Sequence, residues 1–228
     1  MSNFSYRLCY DTADGPRQRP EGATLQSEPT ALRVADPGIR SLFSDDSKYQ
    51  PWLDVEAALA QSQAELGVIP EYAAQEITRR AQLSNIDIDA MKEGLARTGH
   101  PLVPLIWELD KVCEGDAGGY VHWGATTQNI TQTGKLLMVQ KAHRIFLGLL
   151  AQLLTELADL AERTKDMALP GRTHGQHAVP ATFGFKVAVW IDELCRHVER
   201  LRGCEGRVFV AMLGGGAGTL ASLGELGL

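Results

Sequence analysis

The sequence has little that would mark a nucleic-acid, disulfide-built or membrane protein. Against 28 aspartates and glutamates stand 22 lysines and arginines, a formal net charge of −6 over 228 residues. No basic excess advertises nucleic acid or an anionic membrane as a partner. A small anionic substrate stays open, because the field at a site need not follow the total charge. The four cysteines, Cys9, Cys113, Cys195 and Cys204, contain no C-x-x-C pair. That argues against a disulfide framework and a zinc site, and fits a reducing cytosol. There is no apolar core of signal-peptide length behind a basic start. The most apolar stretch, Leu136 to Leu160, is broken by Lys141, His143, Arg144 and Glu156, so it is not a membrane span. The expectation is a soluble, cytoplasmic protein.

What is present is helical periodicity. Residues 1–34 hold Pro16, Pro20 and Pro29 without a sustained apolar period, and are read as a mobile extension or a misassigned start. Ser44-Asp45-Asp46 offers side chains that satisfy helical N–H donors, so a helix is expected to start there. Trp52, Val55, Leu59 and Leu66 follow at helical spacing, and Pro51 implies a kink or a restart. Shorter helices are predicted over 70–81, 88–97 and 101–112, with Pro70 and Pro101 in first turns.

The strongest signal runs from Thr127 to Asp166, where Leu136, Val139, Ala142, Phe146, Leu149, Leu153, Leu157 and Leu160 recur every three or four residues. Such a helix spans roughly 60 Å and needs long partners, as in a bundle. Leu169 to Val179 is read as a loop, and a second long helix is expected from about Pro180 to Met212, stopped by Gly214-Gly215-Gly216. No strand-like alternation of useful length is found. The predicted architecture is all-α: a helical front domain over residues 35–120, then two long helices of a bundle over residues 121–228. Two helices cannot bury such wide faces on each other, so other subunits or further chain are expected to cover them.

Three segments carry candidate chemistry. Gly124-Ala125-Thr126-Thr127-Gln128-Asn129 places hydroxyls and amides beside free helical N–H groups, a cradle for a carboxylate; the plainer alternative is an ordinary N-cap. Gly171-Arg172-Thr173-His174-Gly175-Gln176-His177 holds an imidazole able to exchange a proton near neutral pH and an arginine able to fix a carboxylate; a structural loop histidine is the alternative. His174 and His177 lack a third ligand nearby, which argues against metal. His100, before Pro101, is a candidate catalytic group or a cap. The glycines at 214–218 lack the lysine of a P-loop and follow no strand.

These segments resemble the fumarase/aspartase superfamily, in the branch of adenylosuccinate lyase and 3-carboxy-cis,cis-muconate cycloisomerase. The resemblance rests on His100-Pro101-Leu102-Val103, on His122 to Ile130, on Gly171 to Gln176 with Pro180 to Lys186, and on Gly218 to Gly224, in that order. Ile39 to Asp45 and Trp52 to Glu56 look like the same branch. The resemblance implies a helical front domain, a long central bundle, usually a homotetramer, and active sites built from several subunits. It implies reversible elimination from a small succinyl-type dicarboxylate to give fumarate, with no metal or organic cofactor. By motif match Thr126, Thr127 and Gln128 would hold substrate carboxylate and amide groups. His174 would be the general acid or position the leaving group, His100 would assist, and Arg172, Thr173 and Gln176 would shape the site. Retention of His174 tilts the expectation toward C–N cleavage over cycloisomerisation.

Asn129 and Gln132 stand where the family usually has aspartates. The family's glycine- and serine-rich loop, with its catalytic serine, falls beyond Leu228, so the chain is expected to be inactive alone. A non-catalytic helical association protein and a truncated gene product are the competing expectations.

Overall fold

The structure, a computed structural model, describes residues 35–227; the extension expected over residues 1–34 lies outside the described residues. From Gly38 onward the chain forms one compact unit. It is predominantly α-helical, as expected, with one small two-stranded sheet.

A short helix α1 (Ile39–Leu42) precedes α2 (Tyr49–Glu65). The helix start expected at Ser44 is corrected to Tyr49. The Ser44 hydroxyl donates backward to the Ser41 carbonyl at 3.3 Å, and that of Ser47 to the Leu42 carbonyl at 2.7 Å, so these groups brace the turn between helices instead of capping the next one. Pro51 then falls in the first turn of α2, where its missing N–H costs nothing; of the two expectations, the restart holds.

Helices α3 (Glu71–Arg80), α4 (Ile88–Thr98) and α5 (Leu102–Val112) follow. Asp87 caps α4 by accepting the N–H groups of Asp89 at 3.1 Å and Ala90 at 3.0 Å, and Gly99, with φ +66°, ends it. Leu53, Ile77, Met91, Leu102, Leu105, Leu109 and Ile130 are almost wholly buried together. This core joins α2 to α5 with the start of α6 (Thr127–Arg163), a helix of 37 residues.

Strands β1 (Ala168–Thr173) and β2 (Gln176–Thr182) form an antiparallel hairpin, a correction to the loop expected at 169–179. Pro170 pairs with Pro180 and Arg172 with His177, leaving Gly171 opposite both Ala178 and Val179 in a bulge. A Cβ on Gly171 would lie 2.6 Å from the Val179 carbonyl oxygen, so this close approach requires glycine.

The second long helix, α7 (Phe183–Val208), starts three residues later than expected because Pro180 belongs to β2, and ends at Val208 instead of Met212. Thr182 caps it, accepting the Phe185 N–H at 3.2 Å. α7 returns antiparallel along α6. The Gly184 N–H donates to the Thr164 carbonyl at 3.0 Å near one end. Further along, His143 of α6 meets Glu205 of α7 at 2.9 Å.

Phe146, Leu149 and Leu153 of α6 and Phe185, Val189 and Trp190 of α7 remain exposed. Among the described residues no helix is long and apolar enough to cross a membrane.

Candidate active site

Thr126 is the N-cap of α6, extended at φ −118° and ψ 160°. Its own N–H donates to Asn129 Oδ1 at 2.9 Å, the backward half of a capping box. The same Asn129 oxygen accepts the Gly215 N–H at 3.2 Å. One buried amide oxygen thus ties the start of α6 to the glycine-rich segment that follows α7. The Met212 N–H donates to Thr133 Oγ1 at 3.0 Å, and the Ser222 hydroxyl to the Gly124 carbonyl at 3.3 Å, so this segment lies across the first turns of α6 like a strap.

Thr126 and Thr127 are half-buried and Gln128 is exposed. Gln128 Nε2 donates to Gln132 Oε1 at 3.3 Å along the outer face. The arrangement leaves two hydroxyls and one amide around a helix N-terminus, whose dipole favours negative charge.

His174 occupies the tip of the hairpin. It and Gly175 both have positive φ, 48° and 76°, as a two-residue hairpin turn of this kind requires at its central positions. Arg172, Thr173, His174 and Gln176 are all exposed. Their side chains make no hydrogen bond or ion pair with other described residues.

His100 sits at the α4–α5 junction, where its Nδ1 accepts the Leu102 N–H at 3.2 Å. This is a capping contact, and in the neutral ring it places the proton on Nε2.

Within one chain the predicted residues form two groups. Thr126, Thr127 and Gln128 lie at the start of α6, and the hairpin group lies past its end. At 1.5 Å per residue the helix holds them roughly 55 Å apart.

Sequence reasoning missed the groups that hold the turn before Thr126. Glu56 of α2, only 2% exposed, hydrogen-bonds His122 Nδ1 at 2.6 Å. Gln63, two turns further along α2 and 4% exposed, donates Nε2 to the Trp123 carbonyl at 2.7 Å. The available signal was that Glu56 and Gln63 fall four and eleven residues after Trp52, on the helix face that should be apolar. A carboxylate on such a face is retained for a partner.

A family model described as "Lyase" matches residues 31–225. Adenylosuccinate lyase of Methanocaldococcus jannaschii is 41% identical over 207 residues, 91% of this chain and 45% of that protein. N-acetyl-S-(2-succino)cysteine lyase of Enterococcus italicus is 42% identical over 83% of this chain and 41% of its own length. The crystal structure of β-carboxy-cis,cis-muconate cycloisomerase from Acinetobacter calcoaceticus superposes with a TM-score of 0.79 at 34% identity, covering 88% of this chain and 48% of that one. The chain spans less than half the length of these relatives.

Proposed function

The chain belongs to the fumarase/aspartase superfamily of lyases, and on that premise we propose that it supplies part of a site for eliminating an amine from a succinyl-type substrate, giving fumarate. The observation that carries this reading is the half-buried pair Thr126 and Thr127 at the N-terminus of α6, walled by the strap that Asn129 anchors. A substrate carboxylate in that cradle meets hydroxyl donors and the positive end of the dipole.

Elimination needs a base to take the proton next to a carboxylate, stabilisation of the resulting carbanion, and an acid to protonate the departing nitrogen. His174 is the acid in this reading. Its place at an exposed, pre-shaped turn suits it to reach a site on another copy of the chain, since its own cradle lies roughly 55 Å away. Arg172, Thr173 and Gln176 travel with it, and His100 assists from the α4–α5 junction. A homotetramer, cytoplasmic and without metal or organic cofactor, completes the proposal, with the apolar faces of α6 and α7 as its interfaces. In this reading the base is supplied by the family's glycine- and serine-rich loop.

A second reading, cycloisomerase chemistry on the same cradle, is favoured by the likeness to the Acinetobacter enzyme. The two are separated by joining residues 35–228 to the C-terminal half of the Methanocaldococcus adenylosuccinate lyase. Fumarate release from adenylosuccinate or a succinyl-cysteine supports the C–N or C–S lyase reading. Conversion of carboxymuconate alone supports the other, and a well-folded hybrid inert toward all of them sinks both.

A further inference from the structure

We propose that Glu56 is a positioning residue that fixes the imidazole of His122 and presents its Nε2 as a proton-accepting atom beside the α6 cradle; the functional half of this inference rests on the reading of that cradle as a substrate site.

Packing alone does not explain a glutamate at position 56. Glu56 is buried in the core face of α2, where a leucine would fill the space without desolvating a charge. It makes one short bond, to His122 Nδ1 at 2.6 Å, while its Oε2 is buried with no hydrogen-bond partner among the described residues. The ionised form of Glu56 only accepts, and opposite it Nδ1 carries the proton. In the neutral ring the lone pair therefore sits on Nε2.

That nitrogen has no partner among the described residues, and the side chain keeps 18% of its exposure. One nitrogen is tied and the other is open, which is how an imidazole is held for proton exchange. No other ionisable side chain among the described residues lies within ion-pair distance of the ring.

The backbone around His122 is also held from α2. His122 has φ +61°, in the left-handed region that a β-carbon disfavours. Gln63 clamps the next residue through the Trp123 carbonyl, and the Ala125 N–H closes the turn onto the His122 carbonyl at 3.2 Å. The ring is thus set four residues ahead of Thr126 by two buried side chains of one helix. Local strain kept in place by such contacts is typical of a site.

The test reads the ring directly. In the 15N-labelled chain, long-range proton–nitrogen spectra, with His122 assigned through H122Q, are expected to show the neutral ring protonated on Nδ1. In Glu56→Gln, whose amide can donate to Nδ1, the proton is expected to move to Nε2. A wild-type ring protonated on Nε2 overturns the proposal without any variant, as do identical ring shifts in wild type and a folded E56Q. Neither result depends on whether the chain is a lyase. In the active hybrid, E56Q is expected to lower kcat about tenfold or more with KM little changed; a variant that loses thermal stability but keeps kcat per folded molecule would reduce Glu56 to a structural role.

Discussion

Trp52 of α2 lies so close to Gly134 of α6 that a Cβ at position 134 would sit 2.5 Å from the indole Cδ1 and 3.2 Å from its Nε1. This contact docks the front helices onto the long helix in the second turn behind the cradle. Gly134→Ala must push the buried ring or the helix aside, at a cost of about 1–3 kcal/mol. Gly148, on the same helix with nothing within 4 Å of an added Cβ, is the control, and Gly148→Ala should gain about 0.5–1 kcal/mol from helix propensity. Urea denaturation of the two variants should therefore move in opposite directions. A neutral Gly134→Ala would remove this contact from the account of how α2 and α6 are joined.

The strap over the cradle depends on one acceptor. Asn129→Ala deletes the oxygen that takes both the Thr126 and Gly215 N–H groups, and should cost about 1–2 kcal/mol. Asn129→Asp keeps that oxygen and adds a negative charge in the first turn, where the dipole favours it, so it should be neutral or stabilising. Hydrogen exchange at the Gly215 amide is the direct readout: fast in the alanine variant, slow in the aspartate variant. An asparagine is sufficient here in physical terms, since the backbone donors need an acceptor and not a charge.

The long helix was legible because its stripe is continuous: Leu136 to Leu160 recur at spacings only a helix can align. The hairpin was not, since alternation marks a strand only when one face is buried. Almost every residue of β2 is exposed, so no alternation exists to read, while Pro170, Gly171, Gly175 and Pro180 all suggest a loop. The cradle could be read from hydroxyls next to a helix start. Glu56 on the apolar face of α2 signalled only that a partner was needed; that the partner is His122 could not be read, because the link crosses 66 positions of sequence.

An ion cluster ties α3 to the end of α5. Partial burial works against the charge of Glu76, but bonds from Arg80 and Arg79 and from the Glu114 N–H outweigh it and hold its carboxyl down to about 2, from an ordinary 4.5. The folded-state value lies below the unfolded one, so the contribution is fully present above pH 4.5 and is lost as pH falls toward 2. The stability gap between wild type and Glu76→Gln should be widest near neutrality and shrink across that window. A gap that stays constant between pH 6 and pH 3 would show that the charge of Glu76 does not matter.

The same cluster should silence a thiol. Burial, then the negative charges of Glu76 and Asp110, push Cys113 up to about 11 from an ordinary 9.0. At fixed pH a rise of that size lowers the thiolate fraction roughly a hundredfold. Cys195 on α7 is exposed. At pH 8 iodoacetamide should therefore modify Cys195 well before Cys113, as peptide mapping by mass spectrometry would reveal. Glu76→Gln should narrow the difference, because it removes one of the charges that oppose ionisation. Equal labelling of the two thiols in the folded chain would contradict the burial of Cys113.

The separation of the cradle from the hairpin makes a prediction about assembly. If Thr127 and His174 serve one site from different chains, the hybrid enzyme carrying Thr127→Ala and the hybrid carrying His174→Gln should each be impaired, the latter by about 10²–10⁴ in rate as expected for loss of a general acid. Co-refolding the two variants should restore activity, because some sites then combine an intact cradle from one chain with an intact hairpin from another. Sites built within a single chain cannot be repaired in this way, since every chain carries one lesion. Size-exclusion chromatography with light scattering on the mixture identifies the assembly responsible. Recovery confined to a multimeric fraction supports a shared site, and a mixture no more active than its parts would mean that Thr127 and His174, at opposite ends of the 37-residue helix, do not meet in a site shared between chains.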